Sequence, residues 1–78
     1  MAKIKVYSTP VCPRCHMLKE FLKEKKIEFE DIDVAADQEK AKEMVEKSGQ
    51  MGVPVIEING KIIVGFDREA IEKELENL

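Results

Sequence analysis

Two prolines, Pro10 and Pro13, stand where the hydrophobic spacing of the chain changes period, and that change orders everything after it. Before them, KIKVYS (residues 3–8) alternates Lys3, Ile4, Lys5, Val6 and Tyr7, the period of a strand. Neither proline can donate to a ladder, so strand pairing ends within TPVCP. After Pro13, the residues Met17, Leu18, Phe21 and Leu22 share one helical face, while Lys19, Glu20, Lys23 and Glu24 face outward. Proline suits the first helical turn, where its missing N–H has no partner to lose. The pattern therefore puts Cys12 at a helix N-terminus and Cys15 about one turn further in.

IEFEDIDV (27–34) predicts a second strand, with the apolar spacing slipping between Phe29 and Ile32. A helix over 37–48 follows, with Ala41, Met44 and Val45 inward and Gly49 as its stop. VPVIEI and KIIVGF flank Asn59-Gly60, a dipeptide that favours a two-residue hairpin turn. Asp67 can cap a last helix carrying Ala70, Ile71 and Leu75 inward. The order is β-α-β-α-β-β-α. Its strand-helix-strand opening implies a right-handed parallel crossover, and the hairpin adds an antiparallel pair, so the class is α/β with a mixed sheet packed by helices. The lysines of the first strand argue for one partly wet face, their aliphatic stems covering the sheet edges. Met17 and Met44 read as core, and Tyr7 as core or as a lining residue near the cysteine turn.

The 78 residues are expected to make one domain, 1–78, and 44% apolar residues suffice for a compact core. Basic and acidic residues, 13 against 16, are interspersed, which argues against nucleic-acid binding, for which a concentrated basic stripe is needed. No apolar run approaches the roughly 20 residues of a membrane span, and MAKIKVYS lacks the apolar core of a secretory signal, so a cytoplasmic monomer is expected. In a reducing cytoplasm two cysteines at this spacing read as catalytic or metal-binding rather than as a structural bridge.

VCPRCH (11–16) admits three chemistries: haem attachment through C-x-x-C-H, a metal site, or a dithiol redox centre. Haem attachment should come with an export signal. Structural zinc wants four ligands, and only Cys12, Cys15 and His16 are at hand, so a metal or iron–sulfur cluster would need a second chain. The dithiol needs only what is present. A thiolate is stabilised at a helix N-terminus, which makes Cys12 the attacking thiol; Cys15, on the same face one turn on, can resolve a mixed disulfide, and Arg14 adds positive charge between them. Two inert buried cysteines are the plain alternative, disfavoured by two prolines and an arginine on a strand-to-helix turn.

GVPV (52–55) opens a strand with Pro54; a cis Val53-Pro54 bond would bring the Val53 backbone beside the dithiol, where it could pair with an extended substrate. VGFD (64–67) is either a plain turn capped by Asp67 or a set of N–H groups for a carboxylate. His16 reads as a solvated helix residue.

Placed in this order, VYSTPVCPRCH, IDV and EKSGQMGVPVIEINGKIIVGFDRE resemble the glutaredoxins, of the short glutaredoxin-like type of bacteria and archaea, over essentially the whole chain. The resemblance implies a thioredoxin fold with a four-stranded mixed sheet flanked by helices, a cis proline at Pro54, and exchange of disulfides through Cys12. It also implies substrate contacts from Pro13, Arg14, Val53, Pro54, Gly65, Phe66 and Asp67. Glutathione is the co-substrate it suggests, with its cysteine backbone on Val53 and its γ-glutamyl end on Gly65, Phe66 and Asp67; no bound cofactor or metal is expected. Three departures stand out. Thr9 replaces a frequent lysine, Gly52 replaces the threonine before Val-Pro, and Gly65-Phe66 replaces a glycine pair. Gly-Phe is similar to glutaredoxin-like electron donors of ribonucleotide reductase, which thioredoxin reductase reduces. The expected partners are thus disulfide-containing proteins and either glutathione or thioredoxin reductase. The alternative is a dimeric iron–sulfur or metal carrier ligated through Cys12, against which Pro13 counts, since cluster-binding relatives tend to have a small residue there.

Overall fold

The computed structural model of the chain describes residues 4–50 and 52–77. Its elements are β1 (Ile4–Ser8), α1 (Pro13–Glu24), β2 (Glu30–Asp33), α2 (Gln38–Ser48), β3 (Val55–Ile58), β4 (Lys61–Val64) and α3 (Arg68–Glu76). The four strands form one sheet in the order β2-β1-β3-β4. β1 runs parallel to β2, as a helical crossover requires, and antiparallel to β3, which pairs antiparallel with β4. No helix among the described residues is long and apolar enough to cross a membrane.

Alternation along the strands sorts the core into two layers. Ile4, Val6, Ile56, Ile58 and Ile63 pack with Leu18, Phe21 and Leu22 of α1 and Ile71 of α3. On the opposite face Tyr7, Ile32 and Val55 pack with Met44 of α2. β1 lies at the centre of the sheet, so its lysines have no edge to cover: Lys5 is half-buried on the α2 face, where its charge acts on Glu43. Lys3 lies outside the described residues.

Met17 is not core. The buried stripe of α1 is Cys15, Leu18, Phe21 and Leu22, whereas Met17 keeps 55% of its surface exposed. It precedes Leu18 by one position, a rotation of about 100°, which carries it to the solvent margin of the stripe. Met44 is buried as expected, Val45 packs against the same cluster, and Ala41 is half-buried.

β2 is shorter than the 27–34 run. Lys26 takes a left-handed φ of 58° and the Ile27 N–H returns to the Leu22 carbonyl, so the chain is still turning out of α1 at Ile27. Ile27 and Phe29 pack on the core without joining the ladder. At its other end the Asp33 carboxylate accepts from the N–H groups of Ala35 and Ala36, which closes a turn in place of the ladder. The hairpin forms as Asn59-Gly60 predicts, both residues having positive φ (50° and 87°), the pattern of a type I′ turn. β4 ends at Val64 because Gly65 turns the chain with φ 79°.

Candidate active site

β1 delivers the chain to a turn in which the Cys12 N–H donates to the Thr9 carbonyl at 3.4 Å. Cys12 is extended (φ −94°, ψ 111°) and caps α1 with its own sulfur: Sγ accepts from the Cys15 N–H at 3.3 Å. Pro13 occupies the first helical turn. The two cysteines are thus held one helical turn apart, both as free thiols, with Cys12 half-buried and Cys15 fully buried. Arg14 and Pro13 are exposed beside them.

Opposite the thiols lies the loop that opens β3. Val53-Pro54 is cis, Pro54 is buried, and the Cys12 Sγ points to the Val53 carbonyl at 4.0 Å. The loop is tied to the end of β4, for the Gly65 N–H donates to the Pro54 carbonyl at 2.8 Å. From there the chain enters α3 through Phe66, whose ring meets Phe21 edge-on at 5.7 Å, and Asp67, whose carboxylate accepts from the Ala70 N–H. Two of the connections among these segments are made by backbone groups, which tolerate many side chains and leave little trace in the sequence.

The two thiols are electrostatically unequal. Burial alone would push the Cys12 thiol up, but hydrogen bonds from the Cys15 thiol and from the N–H groups of Cys15 and Arg14, with the Arg14 charge, outweigh it and hold Cys12 below its ordinary value. Cys15 is pushed up to about 11 by burial and by its hydrogen bond to Cys12, against a backbone bond from Thr9 and the charge of Lys19. The first turn of α1 carries no acidic residue to oppose this arrangement. Such a pair presents one ionisable, accessible sulfur and one protonated, inaccessible sulfur.

The Glutaredoxin family model matches residues 4–63. The chain belongs to the glutaredoxin family. A glutaredoxin-like 8.6 kDa protein of the rubredoxin operon in Clostridium pasteurianum is 53% identical over 73 residues, covering 94% of this chain and 97% of that protein. Among solved structures, a mutant of the thioredoxin-like protein BC3987 superposes with a TM-score of 0.90 at 33% identity, covering 97% of both chains. The glutaredoxin-like NrdH-redoxin of Escherichia coli, whose structure was described as the basis of a thioredoxin-like activity profile, gives 0.81 at 27% identity over 91% of this chain and 92% of that one. The architecture is thioredoxin-like, and this glutaredoxin-family redox protein holds its Cys12 and Cys15 close together.

Other residues singled out by sequence fall as follows. His16 is exposed and 3.9 Å from Glu20, a solvated helix residue. Tyr7 is core on the α2 face, its hydroxyl accepting from Lys47 Nζ at 3.4 Å, and does not line the thiol site. Among the described residues no three His, Cys, Asp or Glu side chains converge as a metal site. Sequence reasoning missed a network flanking Cys15: buried Ser8 donates to Asp31 at 2.9 Å, and Asp31 accepts from Lys19 at 3.0 Å. Lys19 follows Cys15 by four residues on α1, so helical spacing was a usable signal; its partner on β2 was not.

Proposed function

We propose that this glutaredoxin-family protein is a dithiol thiol–disulfide oxidoreductase. The Cys12 thiolate attacks one sulfur of a substrate disulfide, forming a mixed disulfide and releasing the other sulfur as a thiolate that takes up a proton. Cys15 then gives up its proton and attacks Cys12, forming the Cys12–Cys15 bond and releasing the second substrate thiol. Two electrons pass from the dithiol to the substrate, and the cycle uses only the two sulfur atoms. The observation that carries this reading is the cap itself: an accessible sulfur that accepts a backbone N–H at a helix N-terminus, with a second free thiol hydrogen-bonded to it.

The substrate lies across the backbone of Val53 beside Pro54, between Pro13 and Arg14 on one side and Gly65, Phe66 and Asp67 on the other. The reductant that reopens the bond is a flavoenzyme of the thioredoxin reductase type in preference to glutathione. Thr9 supplies no cation for a glycine carboxylate, Phe66 fills a position where the glutathione-binding pattern has glycine, and the structural likeness includes a protein described by a thioredoxin-like profile. The working compartment is a reducing cytoplasm and the working form a monomer.

The test follows reduction of insulin or a small disulfide coupled to NADPH, first with thioredoxin reductase and then with glutathione and its reductase. Cys12→Ser abolishes turnover under both, while Cys15→Ser accumulates a mixed disulfide visible by mass. A Cys12→Ser protein that still turns over disulfides overturns the assignment, and faster turnover with glutathione overturns the choice of reductant.

A further inference from the structure

The exposed Met17 has a neighbourhood that the cycle above does not use. With Phe21 and Phe66 it floors a shallow groove of about 260 Å³ between α1 and the 65–67 turn, and Glu20 and Glu24 form one wall of it. Large exposed apolar side chains are few among the described residues, and two of them, Val11 at 88% and Met17 at 55%, lie within the same turn-and-helix segment as Cys12. Exposed apolar side chains on the segment that carries a reactive sulfur mark a contact region, and methionine suits one because its flexible side chain adapts to varied partners.

Two carboxylates, Glu20 and Glu24, line the groove against one guanidinium, Arg68, while Lys25, 5.1 Å from the Phe21 ring centre, is paired outside it with Glu72 at 3.8 Å. Arg68 is engaged, with Nε 3.4 Å from Glu72 and its guanidinium 5.2 Å from the Phe21 ring centre. His16 faces only Glu20, at 3.9 Å, and no described cation pairs with Glu24. Met17 is five residues past Cys12, about 7.5 Å along the helix axis and about 140° around it, which separates the side-chain bases by about 10 Å. An extended chain advances about 3.3 Å per residue, so a side chain two or three positions from a cysteine bound at Cys12 reaches the groove.

We propose that this groove seats a segment of the protein substrate in which a large apolar side chain, followed by lysine or arginine, lies two or three residues from the reacting cysteine. The inference rests on the dithiol reading and names the substrate class for it: a polypeptide disulfide with an apolar-basic flank.

The probes are short synthetic peptides, each with one cysteine in mixed disulfide with 2-mercaptoethanol and with Leu-Lys, Leu-Glu or Ser-Ser placed at that spacing on either side. Bis(2-hydroxyethyl) disulfide is the small reference substrate. The wild type reduces the Leu-Lys peptide about tenfold faster in kcat/KM than the Ser-Ser peptide in one orientation, the worth of a partly buried leucine. Met17→Glu brings the Leu-Lys peptide down to the Ser-Ser rate, and Glu24→Lys inverts the order of Leu-Lys and Leu-Glu. Neither change alters turnover of bis(2-hydroxyethyl) disulfide. Equal rates for all peptides in both orientations, or a Met17→Glu loss shared by the small disulfide, overturns the groove. No turnover of the small disulfide by the wild type overturns the dithiol reading beneath it.

Discussion

Removing the Phe66 ring measures how firmly the 65–67 turn is held against α1. The ring is half-buried and meets Phe21 edge-on at 5.7 Å, while Lys25 Nζ lies 5.1 Å from the centre of the Phe21 ring. Full burial of a phenylalanine is worth about 1.5–3 kcal/mol, so half-burial contributes about 1 kcal/mol. An edge-on ring pair adds about 0.5–1.5 kcal/mol. Phe66→Ala should therefore cost about 2 kcal/mol, against a total of about 4–12 kcal/mol expected for a chain of this length. In a domain of this size each kcal/mol moves the midpoint by about 4–8 °C, so the thermal transition of the reduced protein should fall by about 8–16 °C. Urea unfolding of the wild type, Phe66→Ala, Phe21→Leu and the double variant gives the pair term directly, and a coupling of about 0.5–1.5 kcal/mol is expected. A single-variant loss below about 0.5 kcal/mol, or additive variants, would refute the claim that this ring contact anchors the turn.

Two further outcomes follow from the charges. Cys15 has a folded value of about 11, above the ordinary 9.0, so between these the native state holds a proton that the unfolded state has lost. Stability of the reduced protein should fall as pH rises from 9 to about 11, and urea midpoints should lose this decline in Cys15→Ala; Cys12, shifted down, contributes the opposite slope below the ordinary thiol range. Lys47 bridges Glu57 at 2.8 Å, where the carboxylate side chain is only 13% exposed, whereas Lys40 and Glu43 meet at 3.5 Å with 41% and 33% exposure. Lys47→Met should cost about 2 kcal/mol by stranding Glu57, and Lys40→Met less than about 0.5 kcal/mol; comparable urea midpoints for the two variants would contradict the assigned burial.

What the sequence revealed was mostly local. The period change at Pro13, the Asn59-Gly60 turn and the caps at Cys12 and Asp67 depend on neighbours within a few residues, and each appears where local chemistry puts it. The ends of β2 did not follow from apolar spacing because Phe29 is apolar for the core and yet sits outside the ladder. Met17 was misplaced for a similar reason: at the margin of a helical stripe, the identity of the residue says less than its angle. The Lys19–Asp31–Ser8 chain and the Lys47 bridge to Tyr7 were invisible, since each joins residues on different elements through pairing that only the sheet order defines. The approach of Val53 to Cys12 spans 41 positions; the residues of GVPV suggested it only on condition of a cis proline, and the resemblance to a family supplied that condition.

The sulfur cap of α1 has a protective side. Its donors, the N–H groups of Cys15 and Arg14, are in place only while the first turn is wound, and a helix of 12 residues is marginal unless the sheet beneath it holds its apolar face. A chain that has not finished folding, or has begun to come apart, therefore displays two ordinary thiols. The two sulfurs become unequal only as the fold closes around them.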